Sequence, residues 1–246
     1  MEKVLNDGSI ELIDYMGSDQ RILDAARVST GSSSKGEDND KGLIRYLLKN
    51  EHTTPFEKVV FEFHVRLPIF VARQWMRHRI GSFNEASARY KELEWSTWKP
   101  NEWRKQGTKN HQMSSDEKFT NKENEYLFKI QREAYEHSES VYKEMLEKGV
   151  AREIARAVMP VGQYTEFYWT VNFHSLMHFL TLRDHSHAQP EIQVYGKAIE
   201  KIISEISELK YSYEVFNEMK ELKNLFKDDI NKNKDLNKLK DCLINF

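Results

Sequence analysis

The chain has 246 residues, 39% apolar and 31% charged, with a formal net charge of only −2. That length can bury a core without disulfide staples. The balanced charge argues against a whole-surface electrostatic grip on nucleic acid. The single cysteine, Cys242, excludes an internal disulfide and a cysteine-based metal cluster.

Residues 4–13 read as a first strand broken by Gly8. The run MEKVLNDGSIELIDYMG carries acids and no long apolar stretch, so neither a secretory leader nor a membrane span is expected, and the expected location is cytoplasmic. SDQRILDAARV (18–28) predicts a helix capped by Ser18 or Asp19, a polar loop follows over 29–40, and Asp40 is placed to cap a helix over 41–50. EHTTPF (51–56) reads as a turn. Over 59–67, Val59, Phe61, Phe63, Val65 and Leu67 alternate with Glu62, His64 and Arg66, the clearest strand pattern in the chain. Pro68 ends that strand and opens a helix through IFVARQWMRH. The chain then leaves through Gly81 and Ser82 and runs extended to Arg89 and Tyr90.

Residues 94–121, with Trp95, Trp98 and Trp103, read as an irregular surface insertion: either disordered or a flap near a ligand site. A long helix follows over 122–148, with Phe128, Tyr135, Tyr142, Met145 and Leu146 spaced for one face, ended by Gly149. AREIARAVM (151–159) is a short basic helix stopped by Pro160. QYTEFYWTV (163–171) reads as a second strand, with a buried aromatic helix as the alternative. Helices are expected over 173–184 and from Pro190 to about 213. The remainder, 214–246, is rich in Lys, Asn and Asp. Leu222, Leu225, Phe226, Ile230, Leu236 and Leu239 give it a weak amphipathic pattern, so a C-terminal helical tail is expected beyond a single catalytic domain over 1–213. Strands and helices intermix without a βαβ rhythm, which favours the α+β class.

The chemistry-bearing residues concentrate in RHRIGSFNEASARY (77–90). Arg73 and Arg77 lie four apart on one helix face, and His78 and Arg79 extend the basic patch to the helix end. A helix C-terminus tolerates cations, so a solvent-facing basic end is one reading. The same helix carries Ile69, Phe70, Val71, Trp75 and Met76, however, and arginines on a largely buried helix need carboxylates or a bound anion. Ser82, Asn84, Glu85, Ser87 and Arg89 then present hydroxyl, amide, carboxylate and guanidinium groups within eight residues, and small Ala86 and Ala88 let a ligand approach the backbone. Arg152, Arg156 and Arg183 each follow or interrupt an apolar run and read either as surface residues or as inward-pointing cations. His174 and His178, four apart, with Asp184, His185 and His187, offer a candidate metal set, though no HExxH is present. There is no GxGxxG fingerprint, no P-loop and no GxSxG elbow, and Cys242 has no base near it in sequence to make it a nucleophile.

The run Arg77-His78-Arg79, seven residues, then Ser87, within ARQWMRHRIGSFNEASARY (72–90), resembles the signature of flavin-dependent thymidylate synthases, which lack a cysteine nucleophile. AARVST (25–30), EHTTPFE (51–57), GVAREIARAVMP (149–160), YTEFYWTVN and SLMHFLTLRDHSHAQPEI resemble further blocks of that family, over roughly 20–205. The resemblance implies a mixed α/β fold with a central antiparallel sheet and flanking helices, consistent with α+β. It implies reductive methylation of deoxyuridine monophosphate to thymidylate, with methylenetetrahydrofolate giving the carbon, FAD the hydride and NADPH the electrons, in a homotetramer with shared active sites. No nucleic-acid or membrane partner is implied.

Carried over by position, the resemblance gives Gln74, Arg77, Glu85, Ser87, Ala88, Arg89, Arg156 and Arg183 to the nucleotide. It gives Thr54, Arg77, His78, Arg79, Glu85, Asn172, His174 and His178 to the flavin, and makes His52 an active-site histidine. Arg183 matches the arginine that stabilises the ionised pyrimidine N3, a role suited to a permanent cation. Ser87 is implied to bind and orient, since only Glu85 near it resembles a base. The chain departs from the family pattern in Ala88, where many members have Gly, in His174, where Arg is frequent, and in His178, where Asn is frequent. The residues alone leave two other readings open: a metal-dependent nucleotide phosphohydrolase built on the 174–187 histidines, and a non-enzymatic nucleotide or nucleic-acid binder using Arg73, Arg77, Arg79 and Arg89.

Overall fold

The computed structural model describes residues 1–34, 36–90, 92, 94–108, 114–185 and 187–232, the last nine of these by backbone alone. In chain order the elements are β1 (Glu2–Val4), β2 (Gly8–Met16), α1 (Asp19–Arg27), α2 (Glu37–Lys49), β3 (Val60–Pro68), α3 (Ile69–Trp75), β4 (Ser82–Glu85), β5 (Arg104–Gln106), β6 (Ser114–Lys118), α4 (Asn121–Glu147), α5 (Arg152–Ala155), β7 (Tyr164–Asn172), α6 (Phe173–Arg183), α7 (Pro190–Ser204) and α8 (Lys210–Lys232). Single turns of 3-10 helix stand at Thr54–Lys58, Arg156–Val158 and Ser207–Leu209. Contacts divide the chain into two units, residues 1–15 with 60–200 and residues 16–59 with 201–246.

The first unit is built on a five-stranded sheet in the order β1-β2-β3-β7-β4. The β3–β7 pair is antiparallel over its full length, with Phe63 opposite Trp169 and His64 opposite Tyr168. The alternation read in the sequence is realised: Phe61, Phe63, Val65 and Leu67 are completely buried, beside Phe167, Trp169 and Val171 of β7. Each such side chain contributes about 1.5–3 kcal/mol on burial. The second strand reading over 163–171 is therefore the correct one, and the buried-helix alternative falls. Over the sheet, Trp75 of α3 lies 5.2 Å from Trp169 and 4.6 Å from Phe179 of α6, joining α3, β7 and α6 through one aromatic cluster.

Several elements differ from their sequence reading. The expected single strand over 4–13 is the hairpin β1–β2, in which Val4 pairs with Gly8. A Cβ on Gly8 would lie 2.3 Å from the Tyr195 hydroxyl, which donates to the Arg66 carbonyl at 2.7 Å, so this close approach requires glycine. Within 94–121, Trp98 N–H donates to the Gly162 carbonyl and Tyr164 N–H to the Ser96 carbonyl, both at 2.8 Å, and β5 pairs with β6. The charged SSDEK of β6 carries no apolar alternation to signal a strand. On α4, begun by a Thr120–Glu123 capping box, only Tyr142 of the five residues expected on one face is buried, and Phe128, Tyr135, Met145 and Leu146 are half-buried.

In the second unit Ser18 caps α1 by accepting from Arg21 N–H at 3.2 Å. Asp19 is buried and accepts from the backbone N–H groups of Tyr211 and Ser212 at 2.7 and 3.0 Å. Asp40 is not a cap. The helix α2 starts three residues earlier, and Asp40 pairs instead with Arg27 and accepts from Ser34 Oγ. Position 214 falls inside α8, where Glu214 takes Lys41 of α2 at 2.6 Å. Of the apolar tail positions, Leu222 is exposed, the side chains of Leu225, Phe226 and Ile230 lie outside the description, and Leu236, Leu239 and Cys242 lie outside the described residues. Among the described residues no helix is long and apolar enough to cross a membrane.

Candidate active site

The helix α3 stops at Trp75, three residues before its expected end. The Gln74 carbonyl, which would accept from His78 N–H if the helix continued, accepts instead from Arg183 Nη2 at 3.0 Å, and His78 N–H turns to the Trp75 carbonyl. A cation at the end of α6 thus satisfies an orphan carbonyl at the end of α3. Arg183 Nε also donates to His78 Nε2 at 2.9 Å. The His78 ring packs on Phe179, with centroids 4.9 Å apart, and stands 5.7 Å from the His178 ring. Burial, reinforced by the Arg183 and His178 charges, pushes His78 down to about 4, so it is neutral at physiological pH. Burial also lowers Arg183 from its usual value, though a guanidinium keeps its charge in proteins.

Gln74 Nε2 donates to Gln189 Oε1 at 2.5 Å. Gln189 carried no role in the sequence reading. It lies within the matched SHAQPEI block, but nothing in its type or spacing marked it, because the contact spans 115 residues.

Beyond the turn, Gly81 admits the chain to the sheet. A Cβ there would meet Trp169 Nε1 at 2.8 Å and the Thr170 carbonyl at 3.0 Å. β4 then pairs antiparallel with β7, Ser82 opposite Thr170 and Glu85 opposite Phe167. Phe83 turns inward onto Phe167 and Trp169, which leaves Ser82 and Asn84 exposed. Glu85 Oε1 accepts from Thr165 Oγ1 at 2.8 Å, and Ala86 N–H donates to the Glu166 carbonyl. Ser87 Oγ accepts from Arg89 N–H and Nε, both at 3.3 Å, and the Arg89 guanidinium lies over the Tyr90 ring. Ala88 is buried.

Gln74, His78, His178 and Arg183 therefore meet directly, while Glu85, Ser87, Ala88 and Arg89 run along and beyond β4, at the edge of the sheet beside β7. Asn172 has a structural duty, its Oδ1 capping α6 by accepting from Ser175 N–H at 2.9 Å; His174 is half-buried on the first turn of the same helix. Arg156 is exposed and its Nε donates to the Glu153 carbonyl at 3.2 Å, apart from the others. On the second unit, Glu51 in the left-handed region (φ 56°) ends α2. His52 follows, exposed and edge-on to Tyr46, and exposed Thr54 begins a 3-10 turn. Arg73, Arg77 and Arg79 are exposed, with no carboxylate partner among the described residues. Among those residues no three His, Cys, Asp or Glu side chains converge as metal ligands. His185 and His187 pair with each other, rings 4.8 Å apart.

Residues 11–207 match the family model described as thymidylate synthase complementing protein. The chain is 48% identical over 231 residues to a flavin-dependent thymidylate synthase of Thermosipho africanus, covering 93% of this chain and 96% of that protein. It is 50% identical to the Thermosipho melanesiensis enzyme of the same name, covering 82% and 88%. Among solved structures, a UMP/dUMP methylase, PolB, from Streptomyces cacaoi bound with 5-Br dUMP superposes with a TM-score of 0.77 at 35% identity, over 87% of this chain and 96% of that one. The chain belongs to the flavin-dependent thymidylate synthase family.

Proposed function

We propose that this chain methylates deoxyuridine monophosphate to thymidylate, with methylenetetrahydrofolate as carbon donor, FAD as flavin and NADPH as reductant. The observation that carries the reading is Arg183. It is a partly buried permanent cation whose Nε and one Nη2 hydrogen are committed to His78 and Gln74, leaving the rest of its five N–H donors for a ligand. Such a group stabilises negative charge developing on a pyrimidine ring. The exposed guanidiniums of Arg77, Arg79 and Arg89 suit phosphate oxygens, which they can grip with two parallel bonds.

In this reading Gln74, Arg77, Glu85, Ser87, Ala88, Arg89, Arg156 and Arg183 hold the nucleotide. Arg77, His78, Arg79, Glu85, Asn172, His174 and His178 hold the flavin. The resemblance assigns Thr54 to the flavin as well and an active-site place to His52. The cationic, hydrogen-bond-donating character of Arg77 and Arg79, with neutral His78 as a further donor, fits the pyrophosphate of FAD, and a bound flavin supplies hydride. The protein's own work is to bind, orient and polarise. Ser87 acts as a clamp: its Oγ accepts from Arg89, and Glu85, the base-like group nearest in sequence, accepts from Thr165 instead. Exposed Arg77, Arg79 and Arg156 support sites completed by a second subunit, in line with a homotetramer.

The test is tritium release from 5-labelled deoxyuridine monophosphate with folate, FAD and NADPH, on wild type and Arg183→Ala. We expect turnover in the first and a loss of about 10²–10³-fold or more in the second, with the circular dichroism spectrum and thermal midpoint retained. An unaffected rate would remove Arg183 from the chemistry. A wild-type protein that cannot be loaded with FAD to absorb near ~450 nm would defeat the whole reading.

A further inference from the structure

The Arg183–His78 contact fixes a protonation state by elimination. A guanidinium nitrogen only donates, so the His78 Nε2 that receives Arg183 Nε at 2.9 Å carries no proton, and a neutral imidazole then holds its hydrogen on Nδ1. This is the minority form of free imidazole in water, so the site selects it. The surroundings agree: one side of the ring meets Phe179. Among the described residues the charged and titratable groups facing His78 are Arg183 and His178, both from α6, with Arg77 and Arg79 adjacent along the chain. A proton added to Nε2 would break the contact and set two cations side by side.

We propose that His78 is the positioning residue for Arg183: as the Nδ1–H tautomer it accepts from Arg183 Nε through Nε2, fixes the plane of the guanidinium, and leaves Nδ1–H free to donate to the bound flavin. One ring then links the place of the cofactor to the place of the arginine. This gives His78 a second duty beyond the flavin contact, and it rests on the function proposed above only for what Arg183 acts on. The geometry favours it because Arg183 has two anchors, and they differ in kind. The Gln74 carbonyl belongs to the backbone and cannot be removed by a side-chain change, whereas the imidazole can. Because the two bonds hold different nitrogens of one planar group, losing either frees the guanidinium to swing about the other.

The test has two arms. The first uses ligand-free protein labelled with 15N-histidine, with His78 assigned by its absence from the His78→Gln spectrum. Wild type is expected to show a protonated Nδ1 and an unprotonated Nε2 at His78. In Arg183→Ala the population is expected to move toward Nε2–H, and the titration midpoint to rise by about one unit as a neighbouring positive charge is removed. An unchanged tautomer and midpoint would overturn the proposal, whatever the protein's activity. The second arm measures nucleotide turnover at saturating FAD. His78→Ala is expected to lose about tenfold or more in kcat with little change in the KM for deoxyuridine monophosphate. His78→Gln, whose Oε1 is an acceptor near the place of Nε2, is expected to recover most of that loss. Equal losses in the two variants would show that an acceptor at this point does not matter and would also overturn it. If wild type itself shows no turnover, the proposed function fails while the first arm still decides the tautomer.

Discussion

β3 and the run from Arg77 to Tyr90 are neighbours across β7, and they obey different rules. In β3 every second residue is apolar and every one of those is buried against β7 and the helices above it. The shape of the protein explains the sequence completely on that face. In the run 77–90, only Phe83, Ala86 and Ala88 are accounted for by packing. Arg77 and Arg79 stand exposed without carboxylate partners among the described residues, Ser87 accepts from Arg89, whose guanidinium is exposed, and Glu85 is held by Thr165. One segment is specified by what the chain itself buries. The other is not accounted for by what the chain buries, and the anionic nucleotide and flavin proposed above would supply the missing partners.

The comparison breaks most severely at Trp75, the point where the two regions join. Trp75 is completely buried against Phe167, Trp169, Phe179 and Tyr195, and it ends the helix that carries Gln74 into the turn. Trp75→Ala should cost about 3–5 kcal/mol, measured by chemical denaturation, with activity lost because the fold is. A cost below about 1 kcal/mol would mean that the cluster does not bear on stability and that α3 is held by something else.

Arg77→Ala should do the reverse. An exposed, unpaired arginine contributes little to the fold, so the thermal midpoint should hold. Affinity for an anionic ligand should fall by about 1.5–3 kcal/mol, roughly 10–150-fold, by isothermal titration with the nucleotide or FAD. Loss of stability without loss of affinity would return Arg77 to the reading of a capped helix end.

The Arg27–Asp40 pair in the second unit shows an arginine whose charge is met by a carboxylate of the chain itself. Both side chains are about one-tenth exposed, and Asp40 also accepts from Ser34. Burial pushes the Asp40 carboxyl up, but the hydrogen bonds from Arg27 and Ser34 outweigh it and hold the group below its ordinary 3.8. A carboxyl lowered on folding stabilises the fold above that ordinary value. The contribution disappears as the pH falls through the lower folded value. Asp40→Asn should therefore lower stability by about 1–3 kcal/mol at neutral pH and flatten the acid side of the stability curve. An identical acid limb in wild type and variant would show that the pair carries no linkage.

These contrasts explain what the sequence made legible. Alternation marked β3 and β7 because both bury one continuous face. The caps and breakers Ser18, Pro68, Gly149 and Pro190 marked ends or beginnings because they act within a turn of themselves. The early stop of α3 was hidden because the group that takes up the Gln74 carbonyl there, Arg183, lies more than one hundred residues away. Gln189 was hidden for the same reason. Asp40 resembled a cap because a cap needs only a short acid before an apolar run. Its true partner, Arg27, lies on another helix. The β5–β6 hairpin has charged residues on its exposed edge and leaves no periodic trace. Local signals report local causes, and the candidate site is assembled from distant ones.

The smallest expected effect falls inside the run itself. Ala88 stands where the resemblance to the family leads one to expect glycine. That substitution would matter for two reasons: a backbone angle that only glycine adopts, or a ligand close enough to collide with a methyl group. The first does not apply, since among the described residues Leu5 and Glu51 are the non-glycine residues with positive φ and Ala88 is not one of them. Its methyl group is accommodated, as the residue is buried at 6% exposure, and its N–H makes no backbone hydrogen bond among the described residues. An N–H in that state can donate to a phosphate oxygen equally from alanine or glycine. Ala88→Gly should consequently destabilise by about 0.4–1 kcal/mol through the entropy of the unfolded chain and leave nucleotide affinity within about twofold, a change below ~0.5 kcal/mol. A gain in affinity of tenfold or more would show instead that the methyl group holds the nucleotide away from the backbone, and that the run is shaped by its ligand less closely than its exposed cations imply.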